Sequence, residues 1–176
     1  VERATADTKS ILRDHVLESG IAVHAGRISE TNQLVWGIRN IDAFGLSTVE
    51  VGNNAAGVIG DMLDAISSFR DEAITPDELG AYIEARETAA DDTGSIELGR
   101  LRDLLSVYRA YERYKRDEHL IDYDDMVHEA VRLLERRPDV RDEYRRQYTH
   151  ILVDEFQDTN YVQLQLLKLL AGDHLC

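Results

Sequence analysis

The stretch HILVDEFQDTN, His150 to Asn160, joins a short apolar run to a dense polar cluster. Ile151, Leu152 and Val153 give the composition of a core strand, predicted over Thr149–Val153. Asp154 and Glu155 then stand where strand gives way to loop, and in open α/β sheets that edge is where ligands bind. Asp154 is suited to hold a magnesium ion, directly or through water. Glu155 is the candidate catalytic group, able to accept a proton from an attacking water or to orient it. Gln157 is the candidate nucleotide-contacting side chain, and Asp158 lies on the same loop. A bare Asp-Glu pair would carry little, because many strands end in solvated acids.

Outward from this stretch the chain reads as helix. A polar helix over about 5–19 is expected to end at Gly20, with a loop from Gly20 to Ser29. Ser29 is a candidate N-cap for a helix carrying Leu34, Val35, Trp36 and Ile38, ending near Phe44-Gly45. The stretch STVEVG is expected to be a small strand or an extended connection. Asn53 or Asn54 can cap the next helix, which places Ile59, Met62, Ile66 and Phe69 on one face. In TPDE, residues 75–78, Thr75 is the N-cap, Pro76 the first helical residue and Glu78 the closure of a capping box. That helix should reach Thr88. After the loop AADDTGS a long helix is expected from Ile96 to Glu118, burying Leu98, Leu101, Leu105 and Tyr108. Asp122 can cap a further helix with Tyr123, Met126, Val127, Ala130, Val131 and Leu134 on its apolar face. Pro138 restarts a helix to about Gln147. A last helix over Tyr161–Leu170 has leucines almost all round, which predicts burial in a larger body.

Composition narrows the setting. The chain has 176 residues and a net charge of −14, from 34 acidic against 20 basic residues, and only Lys9, Lys115 and Lys168 are lysines. So acidic a chain repels nucleic acid at low salt. An acidic, lysine-poor surface also suits a very salty cytoplasm, where the Debye length falls to about 3 Å at 1 M salt and local contacts decide. The single cysteine, Cys176, excludes an internal disulfide and fits a reducing cytoplasm. No run is long enough to span a membrane.

Arg102, Arg109, Arg113 and Arg116 share one face of the long helix, with Tyr111 and Tyr114 near in sequence. Such a row suits a DNA backbone with stacking side chains. The plainer reading, an ordinary solvated face paired with Glu112 and Asp103, is the one to be displaced. In DYDD, Asp122, Asp124 and Asp125 resemble a metal cluster, but carboxylates at a helix start are better explained as caps. None of the six histidines has ligand spacing with another.

The strings VDEFQDTN and VQLQLLKLL together resemble motif II of the superfamily 1 DNA helicases of the UvrD, Rep and PcrA type. LIDYDDMVHEAVRLL resembles the segment preceding that motif, and ITPDELGAYIEA with the tyrosine-containing long helix resembles the family's helical 1B insertion. The resemblance implies a mainly α fold, a helical 1B-type subdomain with one core strand and helix of a RecA-like α/β domain. It implies a linking region at 1–68, the 1B-like part at 69–147 and the motif II strand and helix at 148–176. It further implies a parent that binds ATP and Mg2+, moves 3′ to 5′ on single-stranded DNA and unwinds duplex junctions, as in DNA repair. The parent's other helicase domains would be partners of this chain. A RecB- or AddA-like helicase-nuclease is the nearest alternative, and a non-enzymatic helical interaction module the more distant one.

An ATP site also needs a phosphate cradle, and no glycine of the chain is followed by lysine, so G-x-x-x-x-G-K-[ST] does not occur. In the family that loop lies upstream, and motif III and the arginine fingers lie downstream. The expectation is an internal fragment that is inert toward ATP alone. The charge balance yields an expectation of its own. Self-repulsion among the acids is screened by salt, so the thermal midpoint should rise steadily from low to molar KCl. A flat or falling midpoint in a melting series would remove the salty-cytoplasm reading.

Overall fold

The computed structural model describes residues 26–88 and 95–171. The expected helix at 5–19, most of the loop AADDTGS and Cys176 lie outside them. The chain is mainly helical and divides into two compact bodies, one of 26–70 with 74–120, the other including 71–73 and 121–171.

In the first body, β1 (Gly26–Arg27) leads into α1 (Glu30–Arg39), which Ser29 caps by accepting from the Asn32 amide. A 3₁₀ turn over Ile41–Phe44 ends at Gly45 in the left-handed region, φ 64°. There a glycine costs no side-chain clash. α2 (Ala55–Asp71) begins at Asn54, whose Oδ1 accepts from the Gly57 amide at 3.2 Å. α3 (Pro76–Thr88) begins with the expected capping box. The Glu78 amide donates to Thr75 Oγ1 at 3.2 Å, and Glu78 Oε2 accepts from the Thr75 amide at 2.8 Å. α4 (Ser95–Asp117) is the long helix. β2 (Leu120–Ile121) pairs with β1.

The core of this body gathers Ile59, Met62 and Ile66 of α2, Leu79 and Ile83 of α3, and Leu105, Val107, Tyr108 and Tyr111 of α4 around Trp36 and Phe44. Gly37 of α1 faces Ile59 so closely that a methyl group there would overlap it. A second arrangement fastens the loop after Phe44. Asp103 is only 3% exposed, and its carboxylate accepts from the amides of Ser47, Thr48 and Val49 at 2.7–3.1 Å and from the Ser47 hydroxyl at 3.1 Å. One turn earlier, Gly99 leaves room for Thr48, which a side chain would strike. One turn later, the Ser106 hydroxyl donates to the Phe44 carbonyl at 2.6 Å. The stretch STVEVG is therefore a run of bends and a turn, neither a strand nor a plain extended connection: the Ser47, Thr48 and Val49 amides go to a side chain and are not free for a ladder.

Buried charge is handled differently. Lys115, 3% exposed, sits 2.9 Å from Glu112 and over the Tyr111 ring at 4.8 Å, and Arg70 lies 3.9 Å from the same Glu112 oxygen. That oxygen makes no well-directed hydrogen bond, so the attraction is ionic and the arrangement a weak source of stability.

In the second body, α5 (Tyr123–Arg136) starts at Asp122 with a complete capping box, Asp122 with Asp125. The acids of DYDD are thus engaged at a helix start, and no metal-binding group of three or more occurs among the described residues. α6 (Pro138–Gln147) has Pro138 in its first turn, and α7 spans Tyr161–Ala171. Ala130, Leu133, Leu134, Val140, Tyr144 and Leu166 form its core. Arg145 Nε donates to the Leu169 carbonyl at 2.8 Å, a cation at the end of α7 where the helix dipole favours one. Leu164, Leu167, Leu169 and Leu170 are half-buried, a partial version of the expected burial all round.

Two expectations are corrected. Thr149–Val153 is not a regular strand: only Ile151 makes a bridge, and the one ladder among the described residues is β1–β2. A strand is defined by continuous pairing, and a single bridge does not make one. Gly26–Arg27, expected as loop, is a strand because its backbone meets the end of α4. The Gly26 amide donates to the His119 carbonyl at 2.9 Å.

Burial pushes the Asp103 carboxyl up, but the Ser47, Thr48 and Val49 amides and the Ser47 hydroxyl together outweigh it and hold it below its ordinary value of 3.8. A depressed carboxyl stabilises the fold above its unfolded value, and that stability is lost as pH falls through the lower, folded value. Asp103→Asn should therefore cost about 1–3 kcal/mol near neutral pH, since buried amides lose a charged acceptor. The gap between wild type and variant should narrow as pH drops below 3.8. Urea denaturation at neutral and acid pH checks this, and a constant gap would mean that shape, not charge, matters there.

Candidate functional site

The segment after α6 runs into the two carboxylates with Leu152 86% exposed and Ile151 and Val153 half-buried. At Glu155 the backbone switches to the left-handed region, φ 54°, ψ 46°, which costs a residue with a Cβ about 1–2 kcal/mol. Such strain is found at functional sites more than elsewhere. The switch turns the chain into a 3₁₀ turn over Phe156–Asp158. The Asp158 amide bonds to the Glu155 carbonyl at 2.8 Å, and the Thr159 amide to the Phe156 carbonyl at 3.1 Å.

The turn brings Gln157 back to Glu155, and its Nε2 donates to Glu155 Oε2. Asp154, Glu155, Gln157 and Asp158 are all exposed. Two sequence-predicted site residues are thus in direct contact and the third, Asp154, is adjacent. An exposed set of oxygen donors fits a magnesium ion, which keeps most of its waters and binds through one or two carboxylates and nucleotide phosphates.

The loop closes at Asn160, the N-cap of α7. Its Oδ1 accepts from the Gln163 amide at 2.8 Å, and Gln163 Oε1 faces the Asn160 amide at 3.4 Å. Asn160 Nδ2 donates to Asp71 Oδ1 at 2.6 Å, and Asp71 belongs to the same body as this loop. Sequence reasoning did not single out either residue. The Asn-x-x-Gln spacing ahead of an apolar run was the available signal for Asn160. Asp71, 89 residues away, had none.

On the first body, Arg102, Arg109, Arg113 and Arg116 are all exposed along α4. Arg102 is tied to Glu87 of α3, Nε to Oε1 at 2.6 Å. Arg109 lies across Gly80 of α3, where a methyl group would approach its guanidinium to 2.8 Å. The tyrosines do not flank this row. Tyr111 is 2% exposed, its ring 5.3 Å from that of Trp36, and Tyr114 stacks on Trp36 at 5.0 Å. At about 100° per residue Tyr111 is about 200° round the helix from Arg109, so the wheel itself turns it inward.

With these features in place, comparison with known proteins is decisive. A family model described as the UvrD/REP helicase N-terminal domain matches residues 5–176. The chain belongs to that helicase-domain family. Among similar proteins, an ATP-dependent DNA helicase UvrD1 of Mycobacterium leprae is 34% identical over 111 residues, 63% of this chain and 13% of the relative. The exonuclease/helicase subunit RexA of Lactococcus lactis is 37% identical over 71 residues, 40% of this chain and 6% of the relative. A putative ATP-dependent DNA helicase YjcD of Bacillus subtilis is 38% identical over 77 residues, 43% and 10% of the two chains. The UvrD/REP-family chain thus spans a small part of the length of these relatives. Among its described residues no helix is long and apolar enough to cross a membrane.

Proposed function

We propose that this chain supplies the carboxylate half of the ATP site of a DNA helicase. The observation that carries the reading is the turn at Glu155, where two consecutive acids are exposed and the Gln157 amide donates to one of them. In the complete polypeptide, Asp154 would hold a magnesium ion together with the nucleotide phosphates. That ion would neutralise charge on the phosphates. Glu155 would orient the attacking water and take its proton, and Gln157 would hold the Glu155 carboxylate in place and contact the nucleotide. The chain lacks a glycine-lysine phosphate loop of its own, so we propose that it is inert toward ATP alone. Translocation would run 3′ to 5′, read by strand displacement on 3′-tailed against 5′-tailed duplexes.

Similarity to a RexA subunit favours one further reading, the helicase part of a helicase-nuclease. A nuclease domain after the helicase motifs in the complete reading frame would decide for it, and its absence against it.

In the complete polypeptide, Glu155→Gln should leave nucleotide binding near normal while ATP turnover falls on the order of 100-fold or more, because the water loses its base. Asp154→Ala should raise the magnesium concentration needed. ATP turnover against magnesium, with nucleotide binding measured separately, checks both. Wild-type turnover by Glu155→Gln would exclude the role given to that residue.

The exposed arginine row is the surface we propose for a DNA backbone, through close charge-assisted contacts rather than long-range attraction. Replacing Arg109 and Arg113 together by Ala should weaken single-strand and junction binding and flatten its salt dependence, by about 0.7–0.9 in log–log slope for each phosphate no longer neutralised. A salt titration of both proteins measures this. Equal affinities and equal slopes would reduce the row to a solvated, locally paired face.

A further inference from the structure

Asn160 does more than a cap requires. Its Oδ1 satisfies the Gln163 amide, a task that Asp, Ser or Thr performs as well. Only the bond from its Nδ2 to Asp71 calls for an amide. Asp71 is the last residue of α2, where the helix dipole disfavours a negative charge. The Asn160 donor offsets that cost. The helix end is itself fixed: Ala73 takes the left-handed conformation, φ 59°, and the Ile74 amide returns to the Phe69 carbonyl at 2.8 Å. This is the closure of a helix C-terminus in which the sixth residue bonds back to the first. Asp71 therefore stands on a backbone with little freedom. Between Asn160 and Glu155 there is only the 3₁₀ turn, closed by its own two hydrogen bonds.

We propose that Asp71, acting through Asn160, is a positioning residue for the Glu155 carboxylate. It fixes the downstream end of the loop, while the left-handed turn fixes the upstream end. The inference rests on the role proposed above for Glu155.

The test uses the complete polypeptide. Asn160→Asp keeps the cap but removes the donor and sets two carboxylates against each other. ATP turnover number should fall on the order of 10-fold, as for groups that orient a ligating or reacting side chain, with KM little changed. Asp71→Asn alone keeps an acceptor oxygen for Asn160 and should be near normal. Combining Asp71→Asn with Asn160→Asp rebuilds the bond with donor and acceptor exchanged, and should restore most of the turnover. A purely structural role would lower the thermal midpoint without changing turnover per folded molecule. Unchanged turnover in Asn160→Asp, or a double variant no better than that single one, overturns the proposal. Glu155→Gln in the same series separates the two readings. If it retains turnover, the assignment of Glu155 fails. If it alone loses turnover, only the positioning role fails.

Discussion

Three amides and a hydroxyl from the Ser47–Val49 loop close on the Asp103 carboxylate, one turn from the glycine that lets Thr48 approach. A carboxylate taken out of water is costly unless its lone pairs are met, and here the loop meets them. In return, amides that would otherwise need a strand partner or water are satisfied by one side chain. The fastening holds the chain leaving Phe44 against α4, and Phe44 and α4 supply much of what surrounds Trp36. The polar fastening and the aromatic cluster thus share Phe44 and α4, and each helps to seat the other.

The second body solves a different problem. Its polar loop is exposed among the described residues and still has a defined shape. Leu152 and Phe156 face outward, so local hydrogen bonding carries the geometry. Glu155 takes a strained backbone, the 3₁₀ turn closes on itself, and Asn160 starts α7 while bonding to Asp71. Each hydrogen bond is worth on the order of 1 kcal/mol, and together they define the path of the backbone from Glu155 to α7.

Acidity and arginine placement are linked in the same way. Some exposed arginines find an acid close by: Arg102 takes Glu87 and Arg132 takes Glu129. Buried cations need more: Lys115 is held by Glu112 and the Tyr111 ring together. In the first body the buried cations Lys115 and Arg70 thus share the single Glu112 carboxylate.

What the amino-acid sequence determined by itself was local. Ser29 with Asn32, Thr75 with Glu78, Asp122 with Asp125 and Pro138 at the head of α6 act within four residues, so the helix starts were legible, and with them the mainly α class. Helical spacing likewise announced the buried face of α2, and on α5 it found Ala130 and Leu134, while Tyr123, expected on that face, is 55% exposed and Leu133 is buried instead. The motif II string was legible too, since its identity lies in consecutive residues. Tertiary structure decided what depends on partners far along the chain. Asp103 reads as a surface acid until a loop 54–56 residues away closes on it. Nothing near Asn160 in sequence announces its bond to Asp71, 89 residues away. The apolar run Ile151–Val153 reads as a strand, yet a strand exists only through the backbone beside it. Periodicity reports which side chains share a face, whereas a ladder or a buried carboxylate is a property of two segments at once, and only the folded chain brings them together.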